Sequence, residues 1–141
     1  MTERGWRVTG LHHVAFAHAG EGPEDALHEA LALDETHEET APGFVERMFP
    51  AGSSYLQTLE ADGEGTVQRF LDRRGPGLHH VALEVDAIDA AVADLTERGV
   101  RLVDEEPRPG GMGTRIAFVH PSAFGGMLVE LVQRPAQEHA S

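Results

Sequence analysis

The chain has 141 residues with 11 basic and 24 acidic side chains, a formal net charge of −13. Every basic residue is arginine and there is no cysteine, which excludes Schiff-base and P-loop lysines, cysteine nucleophiles, thiolate metal sites and disulfides. The acidic balance argues against nucleic-acid binding and against anionic membranes; any metal must be held by His, carboxylate or amide oxygen, and any anionic substrate by a local arginine patch.

The length fits one ordinary domain. No stretch approaches the roughly 20 apolar residues of a membrane span, and residues 1–6 lack the apolar core of a secretory signal, so a cytoplasmic protein is expected. In chain order, residues 10–16 read as a strand of β-branched and apolar residues after a turn glycine. An Ala/Leu-rich helix is expected over about 24–32, then short strands near 36–39, 43–49 and 54–60. A linker helix over 66–74 ends at Gly75-Pro76-Gly77, and residues 77–83 form the next strand. Asp86 is placed to N-cap a helix whose apolar face is Ile88, Ala91, Val92 and Leu95, with Gly99 at its C-terminus. A strand over 100–103 follows, then a Pro/Gly-rich loop over 106–111. Two more strands, 114–119 and 127–132, flank a turn at Pro121 and Gly125-Gly126. The tail from residue 135 to 141 is expected to fray.

One repeat organises this list. Gly10-Leu11-His12-His13-Val14-Ala15-Phe16 recurs as Gly77-Leu78-His79-His80-Val81-Ala82-Leu83, identical at six of seven positions and offset by 67 residues. The chain therefore reads as an α+β domain over 1–141 built from tandem βαβββ units, about 9–60 and 77–134, with a linker helix at about 61–76. Successive strand residues point to opposite faces, so one histidine of each pair is expected to face a shared cavity. The last strand of each unit carries one polar residue among apolar ones, Gln57 and Glu130. A buried carboxylate is costly unless paired or bound to a metal. One histidine and one oxygen ligand from each unit would hold an ion and leave two positions open for a bidentate substrate.

These motifs resemble the vicinal oxygen chelate (glyoxalase/bleomycin resistance) superfamily, and within it the methylmalonyl-CoA epimerase family. The resemblance is carried by Arg74 to Val81, Asp104 to Arg108, Arg115 to Pro121 and Gly126 to Leu131, with Ser54 to Glu60 in the first half. It spans roughly residues 9–134 and implies a curved mixed sheet around a metal site. It also implies that the second histidine of each pair is the ligand, giving the set His13, Gln57, His80 and Glu130. The family's further catalytic carboxylate falls in Gly43-Phe44-Val45-Glu46, at Glu46. His12 departs from the family pattern, which usually has an acidic residue before the first ligand.

The implied activity is a metal-dependent isomerase. It would interconvert the 2R and 2S forms of methylmalonyl-CoA, or a close 2-alkylmalonyl-CoA, by two-base proton transfer through a metal-stabilised enolate, with Glu46 and Glu130 as the bases. The implied cofactor is a divalent ion, Co2+ foremost, with Mn2+, Ni2+, Zn2+ or Mg2+ as alternatives. The implied partner is an acyl-CoA substrate, and the implied assembly a homodimer. Arg69, Arg73, Arg74, Arg108 and Arg115 are candidates for the CoA phosphates. The alternatives are a glyoxalase I-like metalloisomerase of the lactoylglutathione lyase type, an extradiol dioxygenase, and a metal-free small-molecule-binding resistance protein.

Overall fold

The computed structural model describes residues 4–136. It is a mixed α+β chain: β1 (Val8–His18), α1 (Glu24–Leu31), β2 (His37–Ala41), β3 (Gly43–Ala51), β4 (Ser54–Asp62), α2 (Thr66–Arg74), β5 (Gly77–Val85), α3 (Ile88–Glu97), β6 (Arg108–Pro109), β7 (Arg115–Val119) and β8 (Val129–Gln133). The chain divides into two compact units, one of His12–Val81 and the other of Met1–Leu11 with Ala82–Ser141. Both β1 and β5 contribute residues to each unit. Strand order is β2-β3-β4-β1-β5 in the first and β1-β5-β8-β7-β6 in the second.

In the unit His12–Val81, β3 runs antiparallel to β2 and β4, and β1 runs parallel to β4. Pro42 and Gly43 turn the chain from β2 into β3. Gly43 has φ +90°, and a Cβ there would lie 2.7 Å from the Glu64 carbonyl oxygen, so only glycine fits without displacing backbone. Buried Ala15, Ala17 and Leu59 pack against Val67 and Phe70 of α2. By contrast, α1 buries none of its eight residues. Too short to persist alone, it is tied down through Glu24, whose Oε2 lies 2.7 Å from His18 Nε2.

In the other unit, the four apolar residues read from helical spacing, Ile88, Ala91, Val92 and Leu95, are all buried against Ala117, Val119, Val129 and Leu131. Burying each larger side chain contributes about 1.5–3 kcal/mol. Gly99 follows α3 with φ +79°, as a helix-ending glycine should.

Two local expectations differ. Asp86 does not cap α3: its Oδ1 accepts from the Arg7 backbone N–H at 2.7 Å, while the first N–H of α3, at Ile88, donates to Gln133 Oε1 at 2.8 Å. Residues 100–103 form no strand, only a bridge between Leu102 and Val119; β6 instead arises within the Pro/Gly-rich stretch. His12 and His13 lie on opposite faces of β1, as alternation requires. Both are buried, because alternation places side chains on two faces without making either face wet. The expectation for the tail falls mainly outside the described residues.

Candidate functional site

Ladder register determines which side chains share a face in the unit His12–Val81. Ala15 lies opposite Gln57 and Ala17 opposite Leu59; Met48 lies opposite Gln57 and Glu46 opposite Leu59; His37 and Glu39 lie opposite Met48 and Glu46. Opposed residues project to the same side, and alternation carries that side to His13, two residues before Ala15. One face therefore bears His13, Gln57, Glu46, His37 and Glu39. The opposite face bears Glu38, Arg47, Thr58, Glu60 and His18.

The first face concentrates the candidate ligands. His13, Gln57 and His80 are buried, and the Nε2 atoms of His13 and His80 are 3.0 Å apart. Their rings meet edge to face, with centroids 5.1 Å apart. The repeat thus brings its two copies together atom against atom. Gln57 Oε1 is buried without a hydrogen-bond partner among the described residues. Such an orphaned acceptor costs about 1–3 kcal/mol, and a cation would satisfy it. Two imidazole nitrogens and an amide oxygen are donors suited to a borderline divalent ion, so the residues present fit the implied metal.

Glu46 sits on the same face of β3, one pairing step beyond Met48. His37 Nε2 lies 3.5 Å from Glu46 Oε2, and His37, Glu39 and Glu46 gather potential ligand atoms within 4.8 Å of one another. The contact with His37 was not foreseen from the sequence; a two-residue offset between β2 positions 37 and 39 was its one signal. Arg47, the neighbour of Glu46, points to the other face and joins a separate cluster. Its guanidinium reaches Glu60 at 2.7 Å and Glu38 at 3.0 Å. Burial works against its charge, but the hydrogen bond and charge of Glu60 outweigh that and raise its pKa.

Glu130 belongs to the other unit. It is buried on β8 and lies opposite Phe118, while Val132 lies opposite Ile116. It therefore projects from the face of the β7–β8 ladder that bears Val132, Ile116 and Phe118, away from α3, which packs against Val129 and Leu131. Of the arginine candidates in this unit, Arg115 makes a two-pronged pair with Asp89 at 2.6 and 2.9 Å, and Arg108 pairs with Asp104 at 2.9 Å. On α2, Arg69, Arg73 and Arg74 are exposed and make no ion pair among the described residues.

No helix of the structure is long and apolar enough to cross a membrane among the described residues. The family described as "Glyoxalase/Bleomycin resistance protein/Dioxygenase superfamily" matches residues 46–118. Human mitochondrial methylmalonyl-CoA epimerase is 32% identical over 134 residues, covering 91% of this chain and 76% of that protein. The bovine mitochondrial enzyme of the same name is 40% identical over 84 residues; that match covers 58% of this chain and 48% of the relative, about half its length. A solved structure of methylmalonyl-CoA epimerase in complex with methylmalonyl-CoA and NH4+ superposes with a TM-score of 0.87 at 34% identity, covering 94% of this chain and 99% of that one.

Proposed function

The chain belongs to the methylmalonyl-CoA epimerase family of the glyoxalase/bleomycin resistance protein/dioxygenase superfamily, and on that premise we propose that it interconverts the 2R and 2S forms of methylmalonyl-CoA or a close 2-alkylmalonyl-CoA. One observation carries the reading: buried His13, in contact with buried His80 through their Nε2 atoms, shares a sheet face with the orphaned amide oxygen of Gln57 and with a carboxylate, Glu46. In the proposed site His13, Gln57 and His80 hold a divalent ion, with Glu130 of the other unit as fourth ligand. Family likeness favours Co2+. When bound, the ion supplies Lewis-acid stabilisation of negative charge developing on the substrate's thioester oxygen.

The proton chemistry falls to Glu46 and Glu130, acting from opposite sides of C2. One carboxylate removes the C2 proton, the other carboxylic acid delivers a proton to the opposite face, and the roles exchange with direction. Glu130 serves as both ligand and base through its two oxygens. His37 steadies Glu46 from 3.5 Å. This transfer requires no amine or thiol, in keeping with a chain that has neither lysine nor cysteine. Gln57 in place of a second acidic ligand, with Glu46 on the same face, favours epimerisation over the lactoylglutathione lyase reaction. Arg69, Arg73 and Arg74, exposed and without an ion pair among the described residues, supply the local positive field that CoA phosphates need against the net −13. Family likeness also supports a homodimer.

The test is metal removal and return. Protein stripped with a chelator should lose epimerisation of a single methylmalonyl-CoA stereoisomer and regain it with one equivalent of Co2+. Failure of the reloaded protein to epimerise overturns the activity, and undiminished activity in metal-free protein overturns the ion's role.

A further inference from the structure

Each proposed imidazole ligand meets a second imidazole through its other ring nitrogen. His13 Nδ1 lies 2.7 Å from His12 Nδ1, and His80 Nδ1 lies 2.8 Å from His79 Nδ1. With the 3.0 Å contact between His13 Nε2 and His80 Nε2, four rings form one line, His12, His13, His80, His79, wholly within the unit His12–Val81. The repeat has therefore duplicated not a ligand but a ligand with its neighbour.

Counting protons assigns the roles. A neutral imidazole has one N–H and one lone pair. For His13 and His80 both to present Nε2 lone pairs to one ion, each must carry its proton on Nδ1. Each Nδ1–H then points at the Nδ1 of the preceding histidine, which must accept it and keep its own proton on Nε2. The partners are well placed for this: His12 is buried and held near the Tyr55 ring, centroids 5.4 Å apart. His79 is held edge to face by Phe70, centroids 4.9 Å apart.

We infer that His12 and His79 are positioning residues that fix His13 and His80 as Nδ1–H tautomers and thereby set the affinity for the divalent ion. The inference rests on the ligand set proposed above. It accounts for the histidine at position 12: an imidazole acceptor fulfils there the orienting role that carboxylates and carbonyls commonly fill behind metal-bound histidine.

The experiment measures Zn2+ affinity by competition with a chromophoric chelator and reads ring tautomers from 15N–1H spectra of the Zn2+-loaded protein. His12→Leu and His79→Leu keep bulk but remove the acceptor, and each should weaken binding by about 10–100-fold. His12→Asn and His79→Asn place an amide oxygen where Nδ1 sits and should restore affinity to within about threefold. In the wild type, His13 and His80 should show Nδ1–H, and His12 and His79 should show Nε2–H. Wild-type affinity in both Leu variants, or Nδ1–H on His12 and His79 in the loaded protein, overturns the inference while leaving the ligand set standing. A wild-type protein that takes up no ion overturns both. His79 is only half-buried, so its variants retain the fold even if a change at His12 disturbs packing.

Discussion

Arg47→Met is the perturbation whose cost the structure specifies most fully. Arg47 holds together four carboxylates: Glu60 at 2.7 Å, Glu38 at 3.0 Å, Glu35 at 3.4 Å and Glu24 at 3.6 Å. These residues come from α1, β2, β4 and the segment between α1 and β2, so the arginine fastens that side of the strand bearing Glu46. Methionine keeps the apolar stem and removes the cation. The Glu60 bond, with side-chain exposures of 20% and 31%, is worth about 1.5–3 kcal/mol as a charged hydrogen bond. Glu38 is 53% exposed and adds about 0.5 kcal/mol at most. Repulsion among the carboxylates left behind brings the expected loss to about 2–4 kcal/mol. Urea unfolding of wild type, Arg47→Met, Glu60→Gln and the double variant should give that loss, with a coupling of about 1–3 kcal/mol between Arg47 and Glu60. A loss below about 0.5 kcal/mol would put the cluster among ordinary surface pairs and refute the reasoning.

Glu46→Gln should lower the epimerisation rate by about 10²–10⁴-fold with ion affinity within twofold of wild type; retained epimerisation would remove Glu46 from the reaction. Ile88→Ala, at a fully buried position of α3, should cost about 2–5 kcal/mol in chemical denaturation, and a cost under 1 kcal/mol would show that α3 is not packed as described. Burial opposes ionisation of Glu24, but hydrogen bonds, that of His18 among them, outweigh it and hold the carboxyl below its ordinary 4.5. A carboxyl depressed in the folded state adds stability above its unfolded pKa and loses it as pH falls through the folded value. Stability should thus decline below about pH 4.5, and less steeply in Glu24→Gln; superimposable acid limbs would exclude the Glu24 contribution.

Much of the fold was legible because the signals were periodic. The 3.6-residue spacing of Ile88, Ala91, Val92 and Leu95 marked the buried face of α3, and Gly75-Pro76-Gly77 marked the end of α2. The duplicated His-His motif predicted convergence of its copies, and His13 and His80 do converge. What escaped depended on partners distant in sequence. Asp86 was a sound cap by local chemistry, but the Arg7 N–H, 79 residues away, takes its oxygen. Residues 100–103 have strand composition yet find only one bridge. Burial of both His12 and His13 required knowing that each face of β1 is covered. Alternation alone could not reveal the contacts that line up four imidazoles. Composition could not rank the arginine candidates, because the engagement of Arg108 and Arg115 with Asp104 and Asp89 is a matter of tertiary contact.

Epimerisation in D2O reports most directly on proton transfer between two carboxylates. Ion-loaded protein is given one stereoisomer of methylmalonyl-CoA, and C2 of both isomers is followed by NMR at early conversion against a protein-free control. Two-base transfer predicts that the product isomer carries solvent deuterium at C2 while the unreacted isomer keeps its protium. Product formed with its original protium, or no conversion above the control, would contradict it.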